Sequence, residues 1–319
     1  MMGPPFFIVG SARSGTTLVR MILNSHPEVA VPPESRFVVE LWSGRQSVEA
    51  ATVLEALAGH PRFQLWKLPI DAVEQELGAG SDLSYSDVMS AAFRAYAHLR
   101  DKSRWGDKTP RYVEHIPLLA SVFPDARFVH IIRDGRNVAL SYAEVPFGPR
   151  TVTQAAALWT RRVGAGIRDG RALGDRRYLE IRYEDLVNNV EAKVRSLCDF
   201  LDLSFDPGML EYTEQAASEA LPRSRLYNPH VKEKPISSVR SWEEQMPDAH
   251  VAVFEAVAGK LLSELGYPRR YPAPGPGARI VALLGRMGLP LGRLRSVKDH
   301  DPHSQAEEDL AQGRTDGTG

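Results

Sequence analysis

The clearest pattern near the start of the chain is a short apolar run, Phe6–Val9, closed by Gly10. A continuous run of this length predicts a β-strand buried on both faces. From Thr17 to Asn24 the spacing changes. Leu18, Met21 and Ile22 fall at helical intervals, and the segment ends near Ser25-His26-Pro27. The chain therefore opens strand, loop, helix. Residues 45 to 100 carry amphipathic helical patches at Val48–Ala58, Ile70–Leu77 and Ser86–Leu99, with Asp71 and Ser86 as candidate N-caps and Gly78-Ala79-Gly80 as a break. A second strand and helix read at Arg127–Ile132 and Asn137–Tyr142, and a third pair at Tyr178–Ile181 and Asn189–Leu201. Strands alternating with helices predict an α/β fold of three layers, with a central parallel sheet covered on both faces. Residues 37–104 are expected to form a helical cap, within a catalytic domain spanning 1–271.

The segment joining the first strand to the first helix is Gly10-Ser11-Ala12-Arg13-Ser14-Gly15-Thr16-Thr17. Backbone amides of such a loop, with the free amides of the helix start, form a nest for a tetrahedral anion. The loop is P-loop-like. Gly10, Gly15 and Thr17 match Gly-x4-Gly-Lys-Ser/Thr, but Thr16 stands at the lysine position and the cation is Arg13. That substitution argues against a P-loop kinase or nucleoside triphosphatase, which is the alternative enzyme class. A non-catalytic anion-binding protein is a third reading. The strand Arg127–Ile132 delivers Arg133 at its carboxyl end, the edge where parallel sheets bind ligands. Ser141 follows about two helical turns later, near the same side of the helix. Arg136 is expected to face solvent.

The stretch Ile8–Leu18 resembles the 5′-phosphosulfate-binding loop of the sulfotransferases. Leu23-Asn24-Ser25-His26-Pro27-Glu28-Val29, with Pro33-Glu34-Ser35-Arg36, is similar in particular to the tyrosylprotein sulfotransferases. The likeness runs over about residues 6–270. It implies 3′-phosphoadenosine 5′-phosphosulfate (PAPS) as donor, no metal, and a hydroxyl-bearing acceptor, whether small molecule, glycan or peptide, with a phenolic or tyrosine hydroxyl favoured. By this resemblance Arg13, Ser14, Gly15, Thr16 and Thr17 would hold the 5′-phosphosulfate, and Arg133 with Ser141 the 3′-phosphate. Arginine suits the latter because its planar fork donates two parallel hydrogen bonds. Tyr183 would lie near the adenine and Lys234 in a late loop over the cofactor. Lys108, in Asp107-Lys108-Thr109-Pro110, matches a family lysine at the reacting centre. Glu34 matches the family's general base, with Asp107 in reserve.

Composition narrows the rest. Lys and Arg number 39 and Asp and Glu 40 in 319 residues, so net charge gives no reason to expect nucleic acid. The single cysteine, Cys198, excludes an internal disulfide and sits at helical spacing as a buried apolar thiol. Trp105 and Trp159 read as core aromatics, and His26 as structural. No apolar run reaches the roughly 18 residues of a membrane span. The start lacks the basic segment of a secretory signal, so a cytoplasmic protein is expected. After a linker, Pro272–Gly277, the segment Ala278–Lys298 is basic and apolar, with Arg279, Arg286 and Arg293 seven residues apart. It is expected to pack on the catalytic domain or a partner subunit, with membrane contact as the alternative. Asp299–Gly319 is polar, the composition of a disordered tail.

Overall fold

All five residues of β1 (Phe6–Gly10) are buried, and the strand has a parallel partner on each side. The structure is a computed structural model that describes residues 3–78, 83–145, 147–212, 241–289 and 291. Its sheet has the order β2 (Val29–Ala30), β3 (Arg104–Lys108), β1, β4 (Arg127–Ile132), β5 (Tyr178–Arg182), parallel throughout. The α/β architecture read from the alternation of strands and helices is present. β2 and β3 are additions to it. β2 is two residues long, and β3 reads Arg-Trp-Gly-Asp-Lys, so neither carries the apolar signature of a buried strand.

Period-two alternation along the strands divides the core. Phe7, Val9 and Phe128 face one side, packed with Phe93, Trp105 and Phe123. Helices α2 to α6 supply much of that layer: Phe37–Glu40, Ala50–Gly59, Pro61–Gln64, Ile70–Leu77 and Tyr85–His98. Phe6, Ile8, Val129 and Ile131 face the other side, against α1 (Thr16–Asn24) and α11 (Val190–Leu201). Between these lie α7 (Ile116–Val122), α8 (Gly135–Ala143), α9 (Val152–Arg171) and α10 (Tyr183–Asn188). Trp105, Trp159 and Cys198 are buried, as their spacing suggested. His26 is structural: its Nε2 meets the Ser204 carbonyl at 2.8 Å and its Nδ1 accepts from the Glu28 amide.

Some local expectations are corrected. Ser84, not Ser86, caps α6, through a reciprocal box with Asp87. Asp71 lies in the first turn of α5, which starts after Pro69. The helical stretch from Asn189 is preceded by a separate short helix, α10. Two further helices, α12 (Trp242–Gln245) and α13 (Asp248–Glu264), follow, and α14 (Pro276–Arg286) begins inside the expected linker. α14 packs through Ala282 and Gly285, and a Cβ on Gly285 would stand 2.6 Å from Thr153 Oγ1 of α9.

The larger correction is Arg136, which is fully buried rather than solvated. Its guanidinium pairs with Asp134 at 2.7 Å and with Glu255 of α13 at 2.7 Å, and lies 3.5 Å over the Trp242 ring. Asp134 also caps α8, accepting from the Arg136 amide. A helical wheel cannot see this, because the partner carboxylate is more than a hundred residues away. Removing the cation would leave Asp134 and Glu255 buried without their shared counter-charge, although Glu255 keeps the amides of Arg270 and Tyr271; breaking a buried pair in this way typically costs about 3–5 kcal/mol. Arg136→Met should therefore destabilise the fold by about that amount, measured as the loss of unfolding free energy in urea. A loss below about 1 kcal/mol would mean that the carboxylates find other partners.

Candidate active site

The strand order reverses between β1 and β4, since the chain leaves β1 toward β2 and β3 and returns to β4 on the opposite side. Open parallel sheets bind ligands at such a reversal, beyond the carboxyl ends of the strands. The loop after β1 and Arg133 after β4 both lie there. Arg13 adopts a left-handed backbone, with φ of 73°. Its Nε donates to Ser141 Oγ at 2.8 Å, while Arg133 Nη1 donates to the Arg13 carbonyl at 3.4 Å. The Arg133 guanidinium also sits 4.3 Å over the Tyr183 ring. Gly15, the residue before α1, has φ of 96°, and a Cβ there would come within 2.3 Å of that ring. Glycine is required on both counts.

No side chain caps α1, so the amides of its first turn, at Thr16 and Thr17, point outward without helical acceptors. Ser14 Oγ is buried with no hydrogen-bond partner among the described residues. Outward amides, an unsatisfied hydroxyl and two guanidinium groups at one strand–helix junction fit a phosphate-like anion. The fold thus brings together Arg13, Ser14, Gly15, Thr16, Thr17, Arg133, Ser141 and Tyr183. Lys234 lies outside the described residues. Asp134 is engaged by Arg136, and Glu184 accepts from the Asp134 amide and the Tyr267 hydroxyl.

Next to this loop, β3 runs parallel to β1 with Lys108 in register with Ile8. Lys108 Nζ donates to Glu34 Oε1 at 2.8 Å. Lys108 and Glu34 thus form an ion pair. Glu34 keeps 27% of its side chain exposed, whereas Asp107 is buried.

Residues 4–207 match the sulfotransferase family, and residues 158–266 match the sulfotransferase domain. The chain belongs to the sulfotransferase family. It is an enzyme that moves a sulfuryl group onto an acceptor hydroxyl, which sets aside the kinase and the non-catalytic readings. Among its relatives is protein-tyrosine sulfotransferase A of Caenorhabditis elegans, 25% identical over 283 residues, covering 86% of this chain and 70% of the relative. Protein-tyrosine sulfotransferase 1 of Danio rerio is 24% identical over 293 residues, covering 86% and 76%. Among solved structures, the sulfotransferase domain from the curacin biosynthetic pathway superposes with a TM-score of 0.58 at 20% identity, over 84% of this chain and 99% of that one. At that identity the match speaks for the shared fold.

In this sulfotransferase the segment bearing Glu34 is fixed at several points that sequence reading missed. Arg20 of α1 donates to the Val31 carbonyl at 2.8 Å and the Pro32 carbonyl at 3.2 Å, and Asn24 accepts from the Val31 amide. Trp66 Nε1 donates to the Pro33 carbonyl at 2.8 Å. Ser35 donates from its hydroxyl to Asp107 and from its amide to Thr109 Oγ1, and its hydroxyl meets Tyr112 at 3.0 Å. Adjacent loop residues therefore grip adjacent strand residues, Glu34 on Lys108 and Ser35 on Asp107 and Thr109. A polar Arg20 in a helix start otherwise rich in apolar residues was the one available sequence signal.

Electrostatics separate the two carboxyls. Burial works to raise the Glu34 pKa, but the Lys108 ammonium, helped by Arg62 and Arg36, brings it below the ordinary carboxylate value. Burial pushes Asp107 up to about 7, only partly offset by the hydroxyls of Ser35 and Thr109. The folded protein then keeps the Asp107 proton to near pH 7, while the unfolded chain releases it near pH 4. Between those values the native state binds more protons than the unfolded state, so this group makes stability fall as pH rises. Asp107→Asn, which keeps the shape and removes the titration, should flatten that slope in urea melts across pH 4 to 7. An unchanged slope would assign the dependence to other groups.

Proposed function

We propose that the sulfuryl donor is PAPS and that the acceptor is a phenolic hydroxyl, with a protein tyrosine as first candidate. The observation carrying the donor assignment is the second cationic site: Arg133 and Ser141, from the β4–α8 unit, meet the β1 loop at Arg13. One anion nest would serve any phosphate or sulfate. A second arginine–serine site beside it fits a donor with two separated anionic groups. Tyr183, half-buried over Gly15 and stacked with Arg133, supplies an aromatic face at the same place for a purine. The acceptor assignment rests on the protein-tyrosine sulfotransferases among the relatives and on Glu34 as the partly exposed carboxylate.

PAPS brings the activated sulfuryl group. The loop amides and Arg13 stabilise charge on the bridging oxygen as its bond to sulfur lengthens, and do so without reorganising, since they are held in place beforehand. Glu34 is ionised at neutral pH and can accept the acceptor's hydroxyl proton. Lys108, bonded to Glu34, is positioned to share its charge with the transferring group. Asp107 has no such access: it is buried and already accepts from two hydroxyls. That supports Glu34 as the base.

Two experiments test these assignments. Calorimetry should show PAP binding without added divalent metal, and ADP binding about ten- to a hundredfold more weakly, the loss of one charge-assisted contact worth about 1.5–3 kcal/mol. Equal affinities for PAP and ADP would remove the 3′-phosphate site. Separately, Glu34→Gln should keep PAP affinity and lose about 10²–10⁴-fold in turnover. Turnover is read by mass spectrometry as a gain of one SO₃ on tyrosine peptides. If Glu34→Gln is mild and Asp107→Asn cripples turnover, the two roles are exchanged.

A further inference from the structure

Of the eight large apolar side chains exposed among the described residues, five fall between residues 280 and 291. Helix α14 accounts for the pattern. Its inner face, with Ala282 and Gly285 buried, lies on the body of the enzyme. Its outer face carries Ile280 and Leu283, continued by Met287 just after the helix, at 56%, 60% and 74% exposure, spaced i, i+3, i+7 along one ridge. Leu289 and Leu291, past the end of the helix, are exposed as well. Arg279 and Arg286 are exposed beside the ridge, seven residues apart and so on one edge of the helix.

Charge along this stretch of sequence is one-sided. From Pro272 to Lys298 the chain contains Arg279, Arg286, Arg293, Arg295 and Lys298, with no Asp or Glu, although the whole protein has a net charge of −1. An apolar ridge with a cationic edge matches an anionic bilayer surface, where the ridge enters the acyl boundary and the arginines meet headgroups. The helix has 11 residues, roughly 16 Å of rise, far short of a bilayer core. It can lie in the interface but not span it. Two other occupants fit worse. A second copy of this chain meeting the same face would set cation against cation in a two-fold contact. Beyond Lys298, the segment Asp299–Gly319 holds one large apolar residue, Leu310, too little to cover the ridge.

We infer that α14, with its exposed apolar ridge and its arginine edge, is a docking surface that seats the enzyme on anionic membranes. The full-length protein should cosediment with phosphatidylcholine vesicles containing about one third phosphatidylglycerol, should stay in the supernatant with phosphatidylcholine alone, and should be released by high salt. Leu283→Glu with Met287→Glu should abolish sedimentation. Arg279→Ala with Arg286→Ala should weaken it about 25-fold, roughly fivefold for each charge lost. All four positions are exposed, so thermal midpoints should stay at the wild-type value, and both double variants are read only as folded protein. Wild-type protein that ignores anionic vesicles, or double variants that bind like wild type, would overturn the inference. So would a wild-type dimer that Leu283→Glu with Met287→Glu converts to monomer without any vesicle binding, since the ridge would then be a subunit interface.

Discussion

The site depends on the parallel pairing of β1 with β3 on one side and β4 on the other. Parallel register sends the carboxyl ends of all three strands to the same edge. Gly10, Lys108 and Arg133 therefore emerge together, although they are far apart in the chain. The strand interiors are too well buried to hold unpaired charge, so the ionic chemistry collects at the rim. A Cβ on Gly10 would stand 2.6 Å from the Ile131 carbonyl, so no side chain fits where β1 ends against β4.

Rigidity at that rim is bought with buried polar contacts. Arg136, Asp134 and Glu255 form an ion network directly behind Arg133, and Trp159 donates its indole N–H to the Arg133 carbonyl at 3.0 Å. Such networks are weak sources of net stability compared with apolar packing. Their value here is geometric: they hold the start of α8, and with it Ser141, at a set distance from the β1 loop. The same logic covers the Glu34 segment, whose Val31 and Pro32 carbonyls both accept from Arg20 of α1 and whose Pro33 carbonyl accepts from Trp66. Preorganised donors are effective in a transition state because nothing needs to move when charge develops.

Backbone strain falls at both places. Of the five described non-glycine residues with positive φ, Arg13 lies within the phosphate loop, at 73°, and Arg36 just after Glu34 and Ser35, at 50°. A non-glycine residue holds such a conformation only when its surroundings over-determine it. Arg13 is held by Ser141 and Arg133, and its left-handed backbone sets the guanidinium across the β1–β4 gap. Between Arg36 and the strand, Ser35 is tied to Asp107, Thr109 and Tyr112.

What could be read directly from sequence is what is local. The apolar run before Gly10, the glycine–serine–threonine loop, and the arginine at the end of Arg127–Ile132 are contiguous signals whose geometry follows from strand and helix periods. They are enough to indicate the α/β class, the β1–α1 loop and the delivery of Arg133 to the same rim. β3 escaped because its polar residues are buried by partners that only folding supplies: Arg104 by the Pro4 carbonyl, Asp107 by Ser35 and Lys108 by Glu34. Arg136 was misread for the same reason, its carboxylate partner being on α13. The difference between Glu34 and Asp107, one ionised and accessible, the other sealed and raised toward neutrality, was also invisible in the residue types. Burial and neighbouring charge set a carboxyl's pKa, and both are properties of the tertiary structure alone.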